Sequence, residues 1–170
     1  EVADKLFSYG EKTKAKELYR LYFNKLILRD IKDEELNALA LGFLKEKNLE
    51  LAEVAFDHYT QGVLKKYPKE QAVSLLKDVV LLFVYKDGQS NDPFYAEKIF
   101  KKMEEVMGIQ AFDEELLYLR AFNLEKIKDF KQARELYRQL LSGFPQSEYA
   151  AQAGFKAGII SLFVFTDEKS

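Results

Sequence analysis

Catalysis near neutral pH needs titratable groups that converge, and this chain offers few. Its only histidine is His58, and it has no cysteine. A His-carboxylate-nucleophile set is not visible, and a multi-histidine metal site is excluded. Disulfides, thiolate metal ligands and cysteine nucleophiles are excluded as well. Adjacent carboxylates occur at Glu34/Glu35, Glu104/Glu105 and Glu114/Glu115, and paired carboxylates can divide the roles of general acid and general base. Neighbours in a helix point in different directions, so these pairs do not converge. Two of them open helices, where acidic charge suits the positive helix end. The eight glycines are scattered and form no phosphate-cradling loop. No catalytic, metal or cofactor residue is expected. His58 reads as structural or solvent-facing, and the chain as non-catalytic.

The elements that would carry any other function are more legible. Four segments share one pattern: Ala15-Leu18-Tyr19-Tyr22, Ala52-Ala55-Phe56-Tyr59, Ala96-Ile99-Phe100-Met103 and Ala133-Leu136-Tyr137-Leu140. A small residue is followed by apolar residues three, four and seven places on, which share one helix face. The small residue lets a neighbouring helix come close. The alanines recur at intervals of 37, 44 and 37 residues, the self-similarity of stacked helical repeats. Each segment reads as the second helix of a hairpin.

The first helices repeat too. Ala3, Ala40 and Ala121 lie twelve residues before the key alanine, and Leu6, Phe43 and Leu124 nine before it. The turns between read Gly10-Glu11-Lys12, Glu46-Lys47-Asn48 and Lys128-Asp129. Asp33-Glu34-Glu35-Leu36 recurs as Asp113-Glu114-Glu115-Leu116, and both aspartates are expected to cap helices. Repeat three departs: Val84 and Asp87 hold the two positions, and a longer turn runs from Lys86 to Asp92. Asp92 is expected to cap, and Pro93 to open, its second helix.

The 170 residues are 48% hydrophobic and 14% aromatic, which excludes a disordered chain. The formal net charge of −2, with both signs intermixed, gives no basic field for nucleic acid. The longest apolar run, Val79 to Tyr85, is too short to span a bilayer. The stretch Ala150 to Phe165 is apolar nearly all round. It reads as the first helix of a further hairpin and a place of self-association. One repeat domain over residues 1–170 is expected, as part of a longer chain.

The spacing of repeat four resembles the tetratricopeptide repeat. Counted from Glu114, Leu117, Ala121, Leu124, Phe130, Ala133, Tyr137 and Pro145 fall at places 4, 8, 11, 17, 20, 24 and 32. Repeats one and two fit at the alanines and aromatics, and repeat three only in its second helix. The resemblance implies an all-α, right-handed α-solenoid of about four hairpins plus a C-terminal helix. It also implies ligand contacts at Asn37, Leu41, Leu44 and Lys45 in repeat two and at Tyr118, Phe122, Glu125 and Lys126 in repeat four. Exposed, these would make a mixed apolar and charged groove for a peptide or helix. A two-carboxylate clamp is not evident. The link Phe144-Pro145-Gln146-Ser147-Glu148-Tyr149-Ala150-Ala151-Gln152-Ala153 resembles that of bacterial envelope tetratricopeptide proteins of the outer-membrane assembly lipoprotein and Tol–Pal coordinator types. This implies a protein-binding scaffold in the periplasm or cell envelope. The alternatives are a cytoplasmic regulator or chaperone and, behind it, a small α-solenoid enzyme.

Overall fold

The computed structural model describes residues 2–25, 31–85 and 91–164. Among them there is no strand, and the helices pack in neighbouring pairs. The chain forms two compact units, one up to Lys66 and one from Tyr67 onward.

The first unit holds α1 (Val2–Ser8), α2 (Lys12–Lys25), α3 (Asp33–Lys45) and α4 (Leu49–Lys66). The second holds α5 (Lys69–Val84), α6 (Pro93–Met107), a short 3-10 turn (Ile109–Ala111), α7 (Glu114–Lys126), α8 (Phe130–Gly143) and α9 (Ala150–Phe163). No helix among the described residues is long and apolar enough to cross a membrane. The hairpin pairs α1/α2, α3/α4, α5/α6 and α7/α8 are those expected, and α9 packs on α8.

The repeated alanines are contact points. Ala15, Ala52, Ala96 and Ala133 are all fully buried, as are Ala40 and Ala121. Backbone geometry repeats with them. Gly10, Lys47 and Lys128, each five residues before the key alanine, have φ of 81°, 58° and 64°. The next N–H then donates to the carbonyl nine before the alanine: Glu11 to Leu6 (3.0 Å), Asn48 to Phe43 (2.8 Å), Asp129 to Leu124 (2.9 Å). A left-handed residue closed by this six-to-one bond is the Schellman helix stop. The residues nine before the alanine thus do two jobs: their side chains are apolar and their carbonyls end the helix.

Repeat one departs from the others. Leu18 and Tyr22 on its core stripe are exposed. Its partner α1 has only seven residues and cannot cover the length of α2. In repeat three, Asp92 accepts from the N–H groups of Phe94 (3.1 Å) and Tyr95 (2.9 Å), and Pro93 opens α6, as expected. The rest of that turn, Lys86 to Ser90, lies outside the described residues, as does Phe165.

The two Asp-Glu-Glu-Leu segments part company. Asp113 caps α7, accepting from Leu116 N–H at 2.8 Å. Asp33 does not cap α3, whose N-cap is Lys32 without a side-chain bond. Asp33 lies inside the first turn, 6% exposed, with Lys66 Nζ at 2.9 and 3.1 Å from its two oxygens. Lys66 and Gly62 lie four residues apart on one face of α4. A Cβ at Gly62 would fall 2.6 Å from Asp33 Oδ1. The glycine therefore makes room for the carboxylate, and the lysine neutralises it.

In the second unit α7 is the most enclosed helix. Leu116, Leu117, Tyr118, Leu119, Ala121 and Leu124 are buried around it, as α6, α8 and α5 all pack against it. Arg120 is buried with them, 3% exposed, and its charge is met by two carboxylates of α6. Its Nε and Nη2 donate to Glu97 Oε1 at 3.2 and 3.0 Å, and its Nη1 to Glu104 Oε2 at 2.9 Å.

Candidate functional site

Phe122, on α7, is the centre of a cluster that draws on α5, α7, α8 and α9 of the second unit. Its half-buried ring has Lys126 Nζ and Lys156 Nζ each 5.1 Å from the centroid. Ammonium groups over an aromatic face are held by the ring quadrupole. Tyr85, just past the end of α5 and 44% exposed, lies 6.0 Å away, ring to ring. Lys156, from α9, also grips both oxygens of Glu125 at 2.9 Å, and Tyr137 donates its hydroxyl to Glu125 Oε1. Lys126 donates to the Val84 carbonyl at the end of α5 and to Asn91 Oδ1 at 3.4 Å. It therefore stabilises the negative helix end as well as the ring. Burial holds the Lys126 ammonium below its ordinary pKa.

Beside this cluster runs a second charged set. Lys77, on α5, reaches Glu115 Oε2 at 2.6 Å and Asp113 Oδ2 at 3.4 Å. The bond to Glu115 holds its pKa above the ordinary lysine value. Between the two sets lies a tyrosine stack. Tyr118 packs on Tyr149 at 5.1 Å with nearly parallel rings and on Tyr137 at 5.8 Å. Burial pushes the Tyr118 hydroxyl up to about 12 and raises Tyr137, Tyr149 and Tyr85 in the same direction.

These positions correct part of the expected groove. Tyr118 is not exposed; at 6% it is a core residue, because the rings of Tyr149 and Tyr137 both pack against it. Leu44 is also buried, within the α3–α4 hairpin. Phe122, Glu125 and Lys126 do come together, at a partly open surface. Asn37, Leu41 and Lys45 lie in the first unit, where Leu41 and Lys45 are exposed and Asn37 is half-buried. Tyr85, Tyr149, Lys77 and Lys156 were missed, because they come from parts of the chain other than the helix that carries Phe122: Lys77 from α5, Lys156 from α9, Tyr85 from just past α5 and Tyr149 from just before α9.

His58 is half-buried on α4, and burial lowers its pKa. Among the described residues no group of three His, Asp or Glu could hold a metal ion. On α9 the face away from α8 exposes Phe155, Ile159, Leu162 and Phe163. Compared with known protein families, curated proteins and solved structures, the chain finds no match.

Proposed function

We propose that this chain is a non-catalytic protein-binding module. In this reading its tetratricopeptide-like hairpins stack as a right-handed α-solenoid, and it serves as a scaffold in a bacterial envelope or secretion complex. The observation that carries the reading is the Phe122 surface. A ring flanked by two ammonium groups, with an exposed tyrosine beside it and alternating charges around it, suits an extended peptide or a helix. The aromatic faces give contact area at low entropic cost, and the fixed charges give register. The envelope setting rests on the likeness of the Phe144–Ala153 link to those of envelope tetratricopeptide proteins.

The test is site-specific photo-crosslinking in the native host, with the reactive side chain placed in turn at positions 85, 122 and 138. Arg138 is exposed on α8 and serves as the control position. Adducts with one partner are expected from 85 and 122, in the envelope fraction. A Tyr85→Ala, Phe122→Ala variant should bind that partner more than about tenfold more weakly, a loss of about 1.4 kcal/mol. Equal adducts from position 138, or none from 85 and 122, would overturn the reading, and adducts confined to the cytosol would remove its envelope setting.

A further inference from the structure

The charges around Phe122 do not cancel. Lys156 and Glu125 form a closed pair, with both carboxylate oxygens bonded. Lys77 is met by Glu115 and Asp113. Lys126 differs, because its ammonium touches only neutral groups. They are the Val84 carbonyl, Asn91 Oδ1 at 3.4 Å and the Phe122 ring at 5.1 Å. No carboxylate among the described residues pairs with it. An ammonium has three N–H donors, and only two of these are taken.

A half-buried cation with neutral partners bears the cost of desolvation without the Coulombic return that a carboxylate gives. Burial accordingly holds Lys126 below its ordinary pKa. An incoming anion supplies the missing return. Apolar surface lies next to it, on the half-buried Phe122 ring and on Tyr85, 6.0 Å away ring to ring. Alternate residues of an extended chain share one face at a step of about 6.6 Å. The distances from Phe122 to the Tyr85 ring and to Lys126 Nζ are both close to that step.

We propose that the segment bound at the Phe122 surface is extended and carries an acidic side chain two residues from a large apolar one. The carboxylate accepts the third N–H of Lys126. The apolar side chain packs against Tyr85 and the open part of the Phe122 ring. This inference rests on the reading of that surface as a peptide-binding face, and it adds the chemistry of the peptide. A nucleic-acid strand fits less well. Its bases stack on such rings, but its successive phosphates need successive cations, and in this cluster Lys126 alone lacks a carboxylate.

The test is a titration of the full isotope-labelled chain, followed by amide NMR shifts, with three probes. The first is a short Gly/Ser peptide, blocked at both ends, with a central Phe and Asp two places to either side. The second has Asn for both Asp, and the third is an oligothymidylate. The Asp peptide is expected to bind about tenfold more tightly than the Asn peptide, moving the amides of Tyr85, Phe122 and Lys126. Lys126→Gln should abolish that preference, and Lys126→Arg should keep it. Both peptides are compared on the same protein, so a less stable variant does not disturb the ratio. Equal binding by the two peptides to the parent, or a preference that survives in Lys126→Gln, would overturn the proposal. So would saturation by oligothymidylate at the same amides, shifts centred away from Tyr85 and Phe122, or no saturation by either peptide. Partner adducts from positions 85 and 122 together with equal peptide binding keep the face and remove the acid. Adducts from neither position remove the face, and the acid with it.

Discussion

At the scale of single residues, the most consequential one is Arg120. A guanidinium buried among leucines is tolerable only while Glu97 and Glu104 hold it. Removing one partner strands a charge, which costs about 3–5 kcal/mol, whereas replacing the whole network with apolar residues of similar volume can be close to neutral. Glu97→Leu and Arg120→Leu should therefore each lower stability by about 3 kcal/mol, and the double variant should recover most of that loss. Urea unfolding of the four proteins measures it. Strictly additive losses would mean that the pair does not act as one unit. Arg120 had a signal in the sequence, a lone charge inside the run Leu116-Leu117-Tyr118-Leu119-Arg120-Ala121. Its partners are 23 and 16 positions away and had none. The fate of Tyr118 was equally hidden. Place in the repeat marks it as ligand-facing, but Tyr149, which follows the next helix, closes over it.

At the scale of elements, hairpin spacing was legible because it is geometry. An alanine where helices touch, and a turn at a fixed distance before it, follow from chain dimensions alone. What spacing cannot carry is the use of an acidic start. Asp-Glu-Glu-Leu makes a cap at Asp113 and a buried ion pair at Asp33, and the difference lies in Gly62 and Lys66 on another helix. The turns themselves make a prediction. Lys128 and Lys47 hold left-handed backbone that a Cβ disfavours by about 1 kcal/mol. Lys128→Gly should melt at or above the parent, because relief of this strain offsets the entropy that glycine adds to the unfolded chain. Lys128→Val should lose about 1–2 kcal/mol, since branching at Cβ worsens the same clash. Thermal melts of the three proteins decide it. A valine variant as stable as the glycine one would show that the turn is not held in this conformation.

At the scale of the whole molecule, the tyrosine stack ties stability to alkaline pH. The Tyr118 hydroxyl ionises near 10 in an unfolded chain and is pushed up to about 12 by burial in the folded one. Folding then favours the protonated form. The associated stability is whole below pH 10 and is lost as pH rises towards 12. Tyr137 is raised in the same sense by burial and by the Glu125 carboxylate. Melting temperatures followed by circular dichroism should fall steeply between pH 10 and 12, and less steeply for Tyr118→Phe. Equal slopes would show that Tyr118 ionises as freely folded as unfolded. The same contacts have an optical consequence. The chain has no tryptophan and ten tyrosines, so tyrosine alone gives it intrinsic fluorescence. A phenol that donates to a carboxylate, as Tyr137 does to Glu125, is quenched, and so are rings stacked face to face. The folded protein should therefore be dim and brighten as the stack opens, so that its own light reports on the surface around Phe122 without an added label.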